Sequence, residues 1–296
     1  MNQQAATLKP VKIVNPIADF WNEVLAPKFI KYKHIMVGGL SRHSELVFPA
    51  LPLAPGDRVL DVGCGFGDSA IALAKRVGAQ GEVVGIDCCD AFLEFGRKQV
   101  QEEGIANIVF EVGDAEHALP SAAFDLVFAR FGTMFFVNPV AGLRQMRQAL
   151  KPGGRMIHIV WGARADNPWL SLAKDIVLKF LPVPGSDGLS CGPGPFSMAD
   201  QDHTRKLMET AGYTDIHFIR VDAPVMVGTT IREAIDFQLA IGPAGEVFRE
   251  AGVLGEARRP EIEAALTDML AAQTTTEAGI FMDSSSWVIS AINSSN

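Results

Sequence analysis

Residues 57–69 read Asp57-Arg58-Val59-Leu60-Asp61-Val62-Gly63-Cys64-Gly65-Phe66-Gly67-Asp68-Ser69. The pattern predicts a short apolar strand, Arg58 to Val62, that runs into three glycines at alternate positions and then into a helix opening near Asp68 or Ser69. Without Cβ atoms the glycines permit a sharp turn, positive φ and approach of a ligand to backbone distance. The first turn of the helix offers unpaired N–H groups, which suit a carboxylate or a phosphate. A glycine-rich strand–turn–helix of this kind marks a cofactor crevice in an α/β fold.

Spacing separates the candidate cofactors. A dinucleotide site uses Gly-x-Gly-x-x-Gly, its third glycine packing helix against strand. Here the order is Gly63-x-Gly65-x-Gly67, one residue shorter, and the acid Asp61 stands two positions before the first glycine. A carboxylate there repels a pyrophosphate and suits a ligand with an ammonium group. The stretch Leu60–Asp68 resembles the first motif of the class I S-adenosylmethionine (SAM) methyltransferases, Asp-x-Gly-x-Gly-x-Gly, at every defining position. The resemblance implies SAM as cofactor, held around Asp61, Gly63, Cys64, Gly65 and Gly67.

Further matches lie downstream. Glu82–Asp87 reads as a second buried strand, and its terminal acid lies 20 residues beyond Gly67, the offset of a carboxylate that binds a ribose. Its two oxygens can accept both hydroxyls, whereas capping the next helix falls better to Asp90. Cys88 is expected to line the adenine edge through its backbone, without thiol chemistry. A helix over Ala91–Glu103 and a third strand, Ile108–Val112, lead to Gly113-Asp114-Ala115-Glu116. The resemblance implies that Asp114 accepts from the adenine amine and that the Ala115 N–H donates to a ring nitrogen, with Glu116 beside them. A fourth strand, Phe124–Arg130, precedes Phe131-Gly132-Thr133-Met134-Phe135-Phe136. So apolar a connection is unusual, and it falls where a methyl group and its acceptor would meet, with Arg130 and Phe131 toward the cofactor. Leu150-Lys151-Pro152-Gly153-Gly154, ahead of a fifth strand Arg155–Trp161, is a further family resemblance.

The matched segments span 57–161, and the flanking chain is read from pattern alone. Residues 1–18 are polar and are expected to be poorly ordered. Two amphipathic helices are expected within 19–49, separated near Gly38-Gly39, and a segment placed there can fold back as a lid. Pro168 suits the first turn of a helix reaching about Leu181. A loop follows over 182–197, then a helix Asp200–Ala211 and a sixth strand Thr214–Val221 with a continuation toward Val227. Helices at about 230–250 and 257–272 precede a final antiparallel strand, Trp287–Ala291. The expected fold is a Rossmann-like α/β domain, a seven-stranded mostly parallel sheet with helices on both faces and a helical cap. It is read as one domain over 1–296, with its core at about 50–161, 200–228 and 280–292 and its cap from 19–49, 162–198 and 229–279.

Composition limits the function. At 296 residues, 48% apolar, the chain can bury a sizeable core, and its net charge of −8 argues against nucleic acid as the main partner. Cys64, Cys88, Cys89 and Cys191 show no zinc spacing, and the adjacent pair makes a poor disulfide, so a reducing cytoplasm is expected and no metal. The N-terminus lacks the apolar run of a signal peptide, and no apolar stretch has the length of a membrane span. The oligomeric state stays open, a homodimer included.

A sulfonium is already a good leaving group, so the protein's part is alignment and exclusion of solvent. Trp21, Phe131, Met134, Phe135, Trp161 and Trp169 favour a small, largely apolar acceptor, aromatic or quinone-like, of the kind met by the ubiquinone/menaquinone C-methyltransferases that this chain resembles. If a base is needed, the titratable candidates are His34, His43, Tyr32, His158 and His203; for His158 a structural role inside the sheet is the stronger reading. Two rivals stand beside methyl transfer: a catalytically silent SAM-binding partner protein and a nicotinamide oxidoreductase, the latter disfavoured by the glycine spacing.

Overall fold

The computed structural model describes residues 16–185 and 192–294; Cys191 and residues 1–15 lie outside them. Helix α1 (Pro16–Phe20) passes through a wider π turn at Trp21–Leu25 into α2 (Ala26–Lys31), and α3 (Lys33–Val47) follows. The alternation expected of a doubly wound sheet then begins: β1 (Arg58–Val62), α4 (Asp68–Val77), β2 (Glu82–Asp87), α5 (Asp90–Glu103) and β3 (Ile108–Val112). It continues through β4 (Phe124–Arg130), α6 (Pro139–Ala149) and β5 (Leu150–Trp161) to α7 (Pro168–Val177) and α8 (Gln201–Ala211). The C-terminal part comprises β6 (Thr214–Asp222), β7 (Val225–Gly228), α9 (Ile231–Ala240), α10 (Gly242–Ala251), α11 (Val253–Ala271), β8 (Thr274–Thr276), β9 (Gly279–Met282) and β10 (Ser285–Ile292).

Seven strands form one sheet in the order β3-β2-β1-β4-β5-β10-β6, with β1 to β5 parallel and β10 antiparallel to both neighbours. The central strands are largely apolar because both faces are covered: Val59, Leu60, Leu126, Val127, Phe128 and Ile159 are buried. Right-handed crossovers put α4 and α5 on one face and α6 on the other, where it packs against α8. Strand order reverses between β1 and β4, which opens a crevice at their carboxyl ends.

Four expectations need correction. The break in the N-terminal helices falls at Tyr32, and α3 runs unbroken through Gly38 and Gly39. Those glycines serve packing: a Cβ on Gly39 would lie 3.5 Å from Cβ of Val225, so the helix rides close on β7. The sixth strand stops at Asp222 rather than continuing, because Pro224 has no N–H for the ladder. Beyond it β7 pairs with β9, and β9 with β8, in a separate three-stranded antiparallel sheet. Residues 225–228 and 280–282, counted with the core on sequence, thus pair apart from the main sheet. Finally, 230–250 is two helices, parted at Gly242 with φ +78°.

Phe110 of β3 explains one glycine of the motif. A Cβ on Gly67 would come within 2.7 Å of the Phe110 ring, and Gly67 itself has φ +85°. Gly67→Ala is therefore expected to lower stability by about 2–4 kcal/mol, from left-handed strain and overpacking together. Thermal unfolding of Gly67→Ala and of Gly67→Ala/Phe110→Leu checks this. The second change should recover part of the loss, and an unshifted melting temperature in the first would refute the packing role.

Candidate active site

The loops after β1 and β4 meet at the switch point, where a Cβ on Gly63 would be 3.2 Å from Cα of Gly132. Gly65 (φ +54°) is different: a Cβ there would meet nothing within 4 Å. Its N–H donates to Asp87 Oδ2 at 2.8 Å, while the Cys89 N–H donates to Oδ1 at 2.9 Å. Burial raises the Asp87 pKa against those two bonds and one from the Cys88 backbone. Each oxygen keeps a second lone pair for a further donor.

These groups line a cavity of about 760 Å3. On its sheet-edge side are Gly63, Cys64, Gly65, Asp87, Cys88, Asp114 and Ala115. Asp114 accepts the Glu116 N–H at 2.9 Å and pairs with His117 Nδ1 at 2.8 Å. Glu116 reaches across to accept from the backbone N–H groups of Val137 (2.9 Å) and Asn138 (2.6 Å), and so pins the loop after β4. Arg130, at the end of β4, grips both oxygens of Asp68 (2.8 and 2.7 Å) and donates to Ser44 Oγ of α3 at 3.0 Å.

The other side is aromatic. Phe131 holds φ +56°, outside the usual range for a bulky residue, and stacks on Trp161 with centroids 3.8 Å apart. Trp161 also meets Trp169 edge-on at 5.1 Å. Trp21 stands edge-on to Phe135 (5.2 Å) and Phe29 (5.4 Å), and the neighbouring Asn22 donates to the Cys88 carbonyl at 3.0 Å, tying the N-terminal helices across the cavity. Met134, Phe135, Trp161 and Trp169 all border the cavity, although Met134 and Trp161 are 2% exposed and serve the core as much as the wall.

Several expected site residues lie elsewhere. Gly67 packs on Phe110 and does not border the cavity. Asp61 is fully buried behind the loop; Ser69 Oγ donates to its Oδ2 at 2.6 Å and Oδ1 has no partner. Burial pushes its pKa up to about 7 despite Ser69 and Arg130. None of the proposed bases borders the cavity. His34 is exposed and pairs with Glu233, His203 is exposed on α8, and Tyr32 packs edge-on against Phe237. His158 is buried on Thr133, and burial lowers its pKa to about 3. His43 is enclosed between Ser284 and Ser286, 2.8 Å from each hydroxyl, and edge-on to Phe131 and Trp161. Burial and Arg130 lower its pKa to about 4, so the ring is neutral. Ser284 donates to the Ala223 carbonyl and must therefore accept from His43 Nε2–H.

Sequence reading missed Asp68, Phe196, Arg164, Lys174 and Glu246, all on the wall. Asp68 follows the third glycine directly and could have been found there. The others lie on helices and loops whose approach to the crevice depends on tertiary packing of α7 against α10.

A family model described as a methyltransferase domain matches residues 53–177. The ubiquinone/menaquinone biosynthesis C-methyltransferase of Ectopseudomonas mendocina is 34% identical over 173 residues, 57% of this chain and 67% of that protein. Its counterpart in Cupriavidus necator is 31% identical over 214 residues, 68% of this chain and 86% of that protein. The chain belongs to the class I SAM-dependent methyltransferases. The methyltransferase also has the fold of phosphoethanolamine N-methyltransferase 2 of Haemonchus contortus, solved with SAM, at TM-score 0.57 and 16% identity over 97% of this chain and 62% of that one. It transfers the methyl group of SAM to a nucleophile of a small molecule. No described helix of the methyltransferase is long and apolar enough to cross a membrane.

Asp61 yields a prediction about pH. An unfolded aspartate ionises near pH 4, so between about pH 4 and 7 the folded methyltransferase keeps a proton that the unfolded chain has released. That stability is present below this range and is lost as pH rises through 7. Asp61→Asn, which can still accept from Ser69, is expected to lose less stability than the wild type between pH 5 and pH 8. The difference over that window should reach at most about 3 kcal/mol. Parallel denaturation profiles for the two proteins would show that burial does not raise this carboxyl.

Proposed function

We propose that SAM lies along the Gly63–Asp114 side of the cavity and that a flat, largely apolar acceptor, aromatic or quinone-like, lies against Phe131, Met134 and Trp169. The observation that carries this reading is the cavity itself. It is one continuous space with acceptor-rich carboxylates at one side and a stacked aromatic wall at the other. The donor set fits the adenosyl group: Asp87 has lone pairs for a ribose diol, and the space left by the absent Gly65 Cβ admits a ligand at backbone distance. Asp114, Ala115 and Cys88 are assigned to the adenine edge. Arg130, held by Asp68 and Ser44, is assigned to the amino-acid carboxylate. Asp61 acts from behind the loop and not by direct contact.

When bound, SAM supplies an electrophilic methyl group on a sulfonium leaving group. The chain's own contribution is to align the acceptor and to exclude water. Every carboxylate on the wall is engaged by a neighbour, and no histidine or tyrosine among the described residues borders it. The reading therefore assigns no proton transfer to a side chain. Burial of a planar acceptor gains roughly 25 cal/mol per Å2 of apolar area before ordering costs. The quinone-related names of the relatives agree with such an acceptor. The three described cysteines are free thiols, in keeping with a cytoplasmic location.

Gly65→Ala tests the cofactor side. Its Cβ would project into open cavity, so stability should fall by only about 1–2 kcal/mol from left-handed strain. Affinity for SAM and S-adenosylhomocysteine should fall at least tenfold, about 1.4 kcal/mol. Unchanged calorimetric affinity would refute the placement. On the acceptor side, phenols, quinols and indoles are incubated with SAM and product mass is read. Turnover confined to a polypeptide or nucleic acid would refute the enclosed small-molecule reading.

A further inference from the structure

Charge is distributed unevenly over the acceptor wall. Three ionisable side chains from the cap side border the cavity there: Arg164, Lys174 and Glu246. Arg164 pairs with Asp175. Glu246 holds Arg249 through both oxygens, at 2.7 and 3.2 Å, and Arg249 pairs further with Glu250. Lys28 lies in the field of the same pair, so that cluster of two acids and two bases is balanced. Lys174 differs: its ammonium has no ion pair or hydrogen bond with any described residue. It is half-buried on α7, one turn beyond Leu170, and both border the cavity.

A lysine on an apolar wall can be present for its stem or for its charge. The stem is redundant here, since Leu170, Ile241 and Val247 already make that stretch of wall apolar. An ammonium that borders an apolar cavity and has no counter-ion among the described residues is best matched by an anion brought in by the ligand. Its position is also informative. Asp87 and Asp114 follow β2 and β3, at one edge of the sheet, whereas α7 follows β5 on the other side of the switch point. The cation therefore faces the acceptor's share of the cavity, not the adenosyl share.

We propose that the acceptor carries an anionic group, a carboxylate or an equally acidic enolate or phenolate, and that Lys174 receives it with Arg164 behind. Lys174 is then a specificity-determining residue. It selects, among flat apolar molecules, those with one negative charge at the end lodged against α7. This rests on the assignment of the cavity to SAM and a planar acceptor.

The test uses the full chain saturated with S-adenosylhomocysteine, titrated calorimetrically with naphthalene-2-carboxylate and anthracene-2-carboxylate and with their primary carboxamides. At least one acid is expected to bind on the order of tenfold more tightly than its amide, as one charge-assisted hydrogen bond provides. Lys174→Met, which keeps the stem, should erase that preference while sparing the amide and S-adenosylhomocysteine; Lys174→Arg should retain it. The inference is overturned if no acid exceeds its amide, including the case where neither binds, or if Lys174→Met keeps the preference. Failure of S-adenosylhomocysteine itself to bind would instead overturn the cofactor assignment, and this inference with it.

Discussion

The ring of Phe110 occupies space that three missing side chains leave open. A Cβ on Gly67 would lie 2.7 Å from it, on Gly85 2.8 Å, and on Gly96 2.7 Å. One aromatic residue on β3 thus locks a loop, a strand and a helix together, because none of the three presents anything but backbone. Dense contact of this sort transmits position rather than absorbing it. With Gly67 seated, the start of α4 is set, and Gly65 is left facing the crevice with its N–H on Asp87. The cavity wall is in this sense a by-product of the packing behind it.

Electrostatics completes the arrangement. Two acids lie near one another, Asp61 fully buried and Asp87 half-buried at the cavity, and partial or full loss of solvent raises the pKa of both. Asp87 offsets the penalty with backbone donors, whereas Asp61 has Ser69 alone and one oxygen unmatched. Arg130 compensates from across the crevice while it binds Asp68. Because the same guanidinium also holds Ser44, the N-terminal helix α3 and the glycine loop share one cation.

The sheet was legible because its signals are local and repeated: short apolar runs, those of β1, β2 and β3 ended by glycine or an acid, at spacings that suit right-handed crossovers. The cavity-facing residues at the ends of β1, β2 and β3 come with those strands. Errors arose where the deciding contact is distant in sequence. Gly38-Gly39 looks like a helix break until β7 is seen beside it, and nothing near Val225 announces its pairing with Met282. The histidines misled for the same reason. A histidine's availability depends on what encloses it, and Ser284 and Ser286 lie over 240 residues away from His43. Gly67 shows the converse, a motif position whose spacing was read correctly and whose purpose was packing.

Apart from the loop after β4, which supplies Phe131 and Met134 to the aromatic side, the two sides of the cavity draw on different stretches of chain. One is built from residues 62–136, inside the segment that the methyltransferase-domain model matches; much of the other comes from 161–247 together with the N-terminal helices. Few residues belong to both. Substitutions in α7 or α10 can accumulate without disturbing the loop that Asp87 and Phe110 hold, and insertions between β5 and β10 lengthen only connections at the sheet's periphery. Lineages that share this architecture can therefore change what they modify at a rate uncoupled from how they hold the donor. Divergence should be concentrated after Trp161, and a chimaera joined there would inherit its donor chemistry from one parent and much of its selectivity from the other.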